Sequence, residues 1–206
     1  LLGAARGPAV DWLVVGLGNP GREHARDRHN VGFMVAEHLR ERWELPAPKQ
    51  RFRGLFSEGR ASPGDRDGIP AKRVALLCPL TYMNDTGRSV GPARGALRVA
   101  LGRVVVVHDE IDLPFGEVRA KLGGGLAGHN GLKSVADGLG GAGFHRVRVG
   151  VGRPDSSDPD VVSAYVLGPF REPAEQVQAL IARAGEEVER LVFAVPAGAG
   201  RADPNV

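Results

Sequence analysis

Apolar and polar positions divide the chain into short buried strands and amphipathic helices. Trp12-Leu13-Val14-Val15 is a continuous apolar run stopped by Gly and Pro, the pattern of a strand covered on both faces. From Asn30 to Trp43, apolar residues at Val31, Met34, Val35, Leu39 and Trp43 recur at helical spacing, with Asn30 placed to cap. Residues 44–50 carry two prolines and read as a connection. Residues 51–58 and 72–78 read as strands joined by a polar Gly/Pro/Asp loop, and Pro79 ends the second. A helix spans about residues 86–101. Val104-Val105-Val106-Val107 is the clearest buried strand. Beyond it, the pattern predicts a strand over 117–122, a glycine loop at 123–125, a helix over 130–139 and a strand over 146–151. Residues 153–163 read as a polar loop. The final stretch, 172–195, has helical periodicity through Val177, Leu180, Ile181, Ala184, Val188 and Leu191.

Alternating strands and helices predict a single α/β domain over residues 12–193, with a twisted, mixed but mostly parallel β-sheet flanked by helices. Residues 1–11 and 196–206 read as loose ends. No internal repeat or long linker divides the chain. Its 206 residues are enough for one proper core, and 42% hydrophobic with 25% charged residues is ordinary for a soluble globular protein. No apolar run approaches the roughly 18 residues of a membrane helix, so a membrane span is not expected. Nothing marks a secretory leader. Cys78, the single cysteine, excludes an intrachain disulfide framework and fits a reducing, cytoplasmic setting.

A net charge of +3 does not announce nucleic acid, but its distribution is uneven. Residues 119–153 hold six basic side chains (Arg119, Lys121, Lys133, Arg146, Arg148, Arg153) against Asp137 alone, a net +5. Residues 154–206 hold four against nine, a net −5. A basic middle beside an acidic end suggests one face for phosphates; solvated surface charge is the alternative reading.

Several motifs mislead. Gly16-Leu17-Gly18-Asn19-Pro20-Gly21 matches the dinucleotide fingerprint, but that pattern must open a helix whose free N–H groups meet a pyrophosphate. Here Pro20 lacks an N–H and residues 22–28 show no apolar helical stripe. Gly87-Arg88-Ser89-Val90-Gly91 matches a nucleophile elbow, yet no strand runs straight into Ser89. The six histidines show no zinc spacing, so neither a metal nor a cofactor is expected. What remains is a set of polar residues at strand ends: Asn19, Asn84, Asp109 and Asn130, with His29 where a loop enters a helix. In an open α/β sheet, ligands bind in the crevice outside the carboxyl ends of the strands. There a histidine and an aspartate make a base and its orienting partner, and carboxamides supply neutral donors and acceptors.

Five further blocks in order make the pattern specific. Val15 to Gly21, Arg28-His29-Asn30-Val31-Gly32, Tyr82-Met83-Asn84, His108 to Pro114 and Gly123 to Leu132, followed by Phe144 to Gly150, resemble the bacterial peptidyl-tRNA hydrolase family over nearly the whole chain. The resemblance implies a single α/β domain that hydrolyses the ester between a peptide and the 3′ ribose of tRNA. It implies His29 as proton acceptor, Asp109 as the carboxylate that holds it, and Asn19 as the residue that tells blocked from free aminoacyl groups. Asn84 and Asn130 match carboxamides that bind the peptide and acceptor end, and Tyr82 an aromatic beside them. His24 stands where many relatives have a tyrosine, and an imidazole presents a smaller stacking face. Lys121, Lys133, Arg146, Arg148 and Arg153 become candidates for acceptor-stem phosphates. The expected partner is peptidyl-tRNA, bound through its acceptor stem and 3′ end, and the expected state is a monomer with no obligate protein partner. Two other classes stand beside this reading: an RNA-binding protein without turnover, and a serine esterase using Ser89.

Overall fold

In the computed structural model, residues 8–63, 68–126 and 128–194 are described. Seven strands form one sheet in the order β2-β3-β4-β1-β5-β7-β6. They are β1 (Trp12–Gly16), β2 (Lys49–Arg51), β3 (Gly54–Ala61), β4 (Lys72–Pro79), β5 (Val104–Glu110), β6 (Val118–Leu122) and β7 (His145–Gly150). The central strands β4, β1, β5 and β7 are parallel, and β2, β3 and β6 pair antiparallel at the two edges. This is the mixed, parallel-centred sheet that the alternation predicts.

The continuous apolar runs of β1 and β5 follow from burial on both faces. Trp12, Val14, Val105 and Val107 point into one core. There α1 (Val31–Arg42) and α5 (Ala174–Val192) cover the sheet. Leu13, Val15, Val104 and Val106 point into the other, under α2 (Gly87–Leu97) and α3 (Asn130–Leu139).

Backbone contact, not only side-chain packing, sets where α1 begins. A Cβ on Gly32 would lie 2.4 Å from both the Leu17 nitrogen and the Val107 oxygen. The first turn of α1 therefore rests directly on the ends of β1 and β5, and it carries residue 29 to the end of the valine strand.

Several elements differ from expectation, each for a local reason. The first hairpin turns at Phe52 and Arg53, both with positive φ (54° and 55°), so the predicted strand over 51–58 is instead β2 and β3 with a tight two-residue turn. The stretch expected as a polar loop carries α4 (Pro159–Val166): Asp158 caps it by accepting from the Asp160 N–H at 2.9 Å, and Pro159 sits at its first position. No residue of α4 is fully buried. Residues 8–11 are not loose, since the Ala9 and Asp11 N–H groups donate to the carbonyls of Leu97 and Arg73 and Val10 is buried. Residues 1–7 and 196–206 lie outside the described residues. No helix among the described residues is long and apolar enough to cross a membrane.

Candidate active site

The polar residues at the ends of β1 and β5 meet in one cleft of about 450 Å3. Asn19, His29, Asp109 and Asn130 line it, with Glu110 and His129, and α4 forms the opposite wall through Val162, Val166 and Leu167.

Asp109 is the centre. It is buried near the end of β5, and its Oδ1 meets two imidazoles: His29 Nδ1 at 2.8 Å and His129 Nε2 at 3.2 Å. Burial alone would raise the carboxyl. The two imidazoles outweigh it and hold Asp109 far below the usual carboxylate range, so it is anionic. For His29, burial opposes the charged form, but the Asp109 carboxylate and its hydrogen bond prevail and hold the imidazole above its ordinary 6.5. With Nδ1 donating to Asp109, Nε2 carries the lone pair.

Carboxamides are fixed by a short network. Asn30 does not cap α1. Its side chain turns back to Asn19, with Oδ1 accepting from the Asn19 N–H and Nδ2 donating to the Asn19 carbonyl, both at 2.9 Å. Asn19 Oδ1 in turn accepts from the Met83 N–H at 3.1 Å. The carbonyl side of Asn19 is thus committed to the backbone, and its amide N–H2 is the end offered to the cleft. Asn130 lies at the first position of α3, exposed at the rim. Neither Asn84, in the turn Met83–Asp85, nor Tyr82, which is 71% exposed, is part of the cleft lining. His24 sits outside it as well, its Nδ1 2.7 Å from Asp27 Oδ2.

The basic residues fare differently from one another. Lys121 on edge strand β6 and Lys133 on α3 are exposed, with no carboxylate partner among the described residues. Arg148 Nε donates to Glu110 at 3.0 Å, and Arg153 pairs with Asp112 at 2.6 Å. Arg146 is buried, and its guanidinium donates to the carbonyls of Gly123 and Gly125. It holds the glycine loop from beneath and has no surface to offer a phosphate. Ser89 is buried too, with its hydroxyl donating to the Phe52 carbonyl at 2.6 Å, which removes it as a nucleophile. Burial pushes the Cys78 thiol up to about 12, in a smaller apolar cavity between α1 and the β3–β4 pair.

The fold has counterparts among known proteins. The model of the peptidyl-tRNA hydrolase family matches residues 13–199. The chain belongs to that family. Its relatives include the peptidyl-tRNA hydrolase of Sorangium cellulosum, 48% identical over 77% of this chain and 67% of that protein. The one of Mycobacterium sp. (strain KMS) is 44% identical over 90% of this chain and 98% of its own length. The crystal structure of peptidyl-tRNA hydrolase from Acinetobacter baumannii superposes with a TM-score of 0.75 at 36% identity, covering 92% of this chain and 91% of that one.

Within this peptidyl-tRNA hydrolase fold, His129 is the site residue that motif reading passes over. The eye goes to Asn130, yet a histidine directly before a helix, after a glycine loop, stands at the cap position. His29, Asp109 and His129 also bring three potential metal-ligand atoms within 4.8 Å of one another. Here those atoms face each other as hydrogen-bond donors and acceptor. His129 Nδ1 accepts from the Gly131 N–H at 3.1 Å and faces the Leu132 N–H at 3.4 Å, so its proton resides on Nε2, toward Asp109.

Proposed function

We propose that this chain hydrolyses the ester joining a peptide, or an N-blocked amino acid, to the 3′ ribose of tRNA, with water as nucleophile and His29 as base. The observation that carries this reading is the 2.8 Å contact between His29 Nδ1 and buried, anionic Asp109, which leaves Nε2 basic at the cleft wall. Family membership supplies the substrate class.

The chemistry needs little else. Water gives a proton to His29 Nε2 while its oxygen adds to the ester carbonyl carbon. Asp109 stabilises the imidazolium that forms. The tetrahedral adduct then expels the ribose 3′ oxygen, which takes the proton back. An ester already has a competent leaving group, so no covalent serine intermediate is required. General-base action is worth roughly 10²–10⁴-fold. A carboxamide donor at the developing oxyanion adds on the order of 10²–10³, and we assign that donor to Asn130, which lines the cleft, rather than to Asn84, which does not. Asn19 Nδ2–H2 suits the carbonyl of the blocking group. A free aminoacyl ester lacks that carbonyl and brings an ammonium instead, which an N–H donor repels. Tyr82 and Asn84, in the turn tied to Asn19 through the Met83 N–H, are assigned to the acceptor end. Lys121 and Lys133, with Arg148 behind them, suit the backbone of the acceptor stem. Such contacts fix register without reading sequence, as an enzyme that accepts every tRNA requires.

The test is peptide release from N-acetylaminoacyl-tRNA. Wild-type protein releases peptide, and His29→Ala loses about 10²-fold or more while retaining tRNA binding. Binding without release by the wild type would favour the RNA-binding reading, and near-normal release by His29→Ala would remove His29 as the base.

A further inference from the structure

The hydrogen bonds around Asp109 single out a third imidazole. We propose that His129 is a positioning residue for the reaction: its Nε2–H occupies Asp109 Oδ1 beside His29 Nδ1, and by sharing that oxygen it sets how tightly Asp109 holds the His29 proton. This rests on the reading of His29 as the base.

The tautomer argument makes the role specific. Two backbone N–H groups, of Gly131 and Leu132, point at His129 Nδ1. A proton on Nδ1 would face those donors, so Nδ1 accepts and Nε2 carries the proton. That proton is directed at Asp109 Oδ1, 3.2 Å away. His108 closes the other side. Its ring meets that of His129 edge-on at 5.0 Å, and its Nδ1–H donates to the Asp109 carbonyl at 2.7 Å. Burial pushes His108 down to about 3, so it is neutral. His29 stacks against His129 at 5.2 Å between ring centroids.

The carboxylate oxygen that serves His29 is therefore shared between two imidazoles, His29 through Nδ1 and His129 through Nε2. A hydrogen bond to a carboxylate stabilises its anion and draws charge from the oxygen. A second donor on the same oxygen weakens the first. His129 keeps Asp109 ionised and oriented, yet stops it from binding the His29 proton too firmly to be passed on. The other charged group acting on His29 is Asp27 from its own turn; Glu110, next to Asp109 on β5 and lining the cleft, is paired with Arg148. Neither has a hydrogen bond to the imidazole.

His129 has two jobs, helix cap and carboxylate donor, and two substitutions separate them. His129→Asn keeps a favoured cap side chain but is too short to reach Asp109. His129→Gln extends an amide donor to about the reach of Nε2. In His129→Asn the midpoint of kcat/KM against pH is expected to rise by about one unit, with about tenfold less activity below it and recovery above it. The thermal midpoint of unfolding stays near that of the wild type. His129→Gln is expected to keep the wild-type midpoint. The titration of His29 followed by NMR in the free proteins reads the same shift without turnover, so it tests His129 even if the proposed substrate proves wrong. An unchanged His29 titration in His129→Asn overturns the proposal, as does a shift in His129→Gln equal to that in His129→Asn.

Discussion

At the scale of single residues, the sign of the His29 perturbation has a consequence for pH. The neutral imidazole is the active form, so rate climbs as pH rises through its pKa. Asp109 holds that pKa above 6.5. In Asp109→Asn the attraction is gone while burial remains, so the midpoint is expected to move down, below that of the wild type, in a profile of kcat/KM against pH. Maximal rate falls as well, because an amide does not stabilise the imidazolium. A midpoint that stays in place would separate Asp109 from the base. Asn19 gives a second prediction. Asn19→Asp places a carboxylate where the N–H2 now faces the cleft, and it attracts an ammonium. The ratio of rates on N-acetylated and free aminoacyl-tRNA is expected to fall by about tenfold, the equivalent of one modest charge contact. Equal rates of loss on both substrates would place Asn19 outside discrimination. Motif reading passes over His129, whereas Asn19, His29, Asp109 and Asn130, which line one cleft, were legible because they stand at strand ends and helix starts. Asn30 and Arg146 were not. An asparagine at a helix start reads as a cap and an arginine in a basic stretch as surface, and only the third dimension shows that one binds the Asn19 backbone and the other a pair of glycine carbonyls.

At the scale of elements, glycines decide the spacing between layers. Gly32→Ala forces a Cβ onto two backbone atoms that belong to β5 and the residue after β1. Neither can swing aside as a side chain would. The expected cost is about 3 kcal/mol in urea unfolding, at the upper end for overpacking, together with lost activity because the His29 turn is lifted from Asp109. Gly95→Ala on α2 is the control: nothing lies within 4 Å of a Cβ there, and replacing a helical glycine should stabilise by about 0.5–1 kcal/mol. A destabilised Gly95→Ala, or a neutral Gly32→Ala, would contradict the packing. Long apolar runs announced the central strands, and periodicity announced α1, α3 and α5, because burial dominates those segments. It failed at β2 and α4, whose residues are largely exposed. The Asp158-Pro159 pair was the remaining signal for α4, and it acts on the backbone, not on hydropathy.

At the scale of the molecule, charge is arranged so that acidic partners neutralise much of the basic middle, leaving Lys121 and Lys133 as its exposed unpaired cations among the described residues. Each phosphate neutralised contributes roughly −0.7 to −0.9 to the slope of log affinity against log salt. Replacing both lysines by Ala is expected to flatten that slope by about 1.5 and to raise KM for peptidyl-tRNA. Hydrolysis of an N-acylated aminoacyl ester without the RNA stem should be unaffected. Equal loss on both substrates would assign these lysines to the fold.

The cleft has walls of unequal permanence. The side that bears His29 and Asp109 is built on the central strands, and exchange of its amides with solvent is expected to require global unfolding. The facing wall, α4, contributes no fully buried side chain; it is tied by the Tyr165 hydroxyl to the Val151 carbonyl, and beside it Arg28 stacks on Tyr165 at 4.2 Å and binds the Pro169 carbonyl. Such a segment is expected to open at lower cost than the core elements. Deuterium uptake in α4 is expected to outpace that in α1 and α3 by several orders of magnitude, and to slow when N-acetylaminoacyl-tRNA is held by His29→Ala. Uptake as slow as in α1 would make both walls equally fixed. If α4 yields as this exchange experiment tests, the cleft would admit substrates whose peptide has any length, since the chain being released need not thread a closed tunnel.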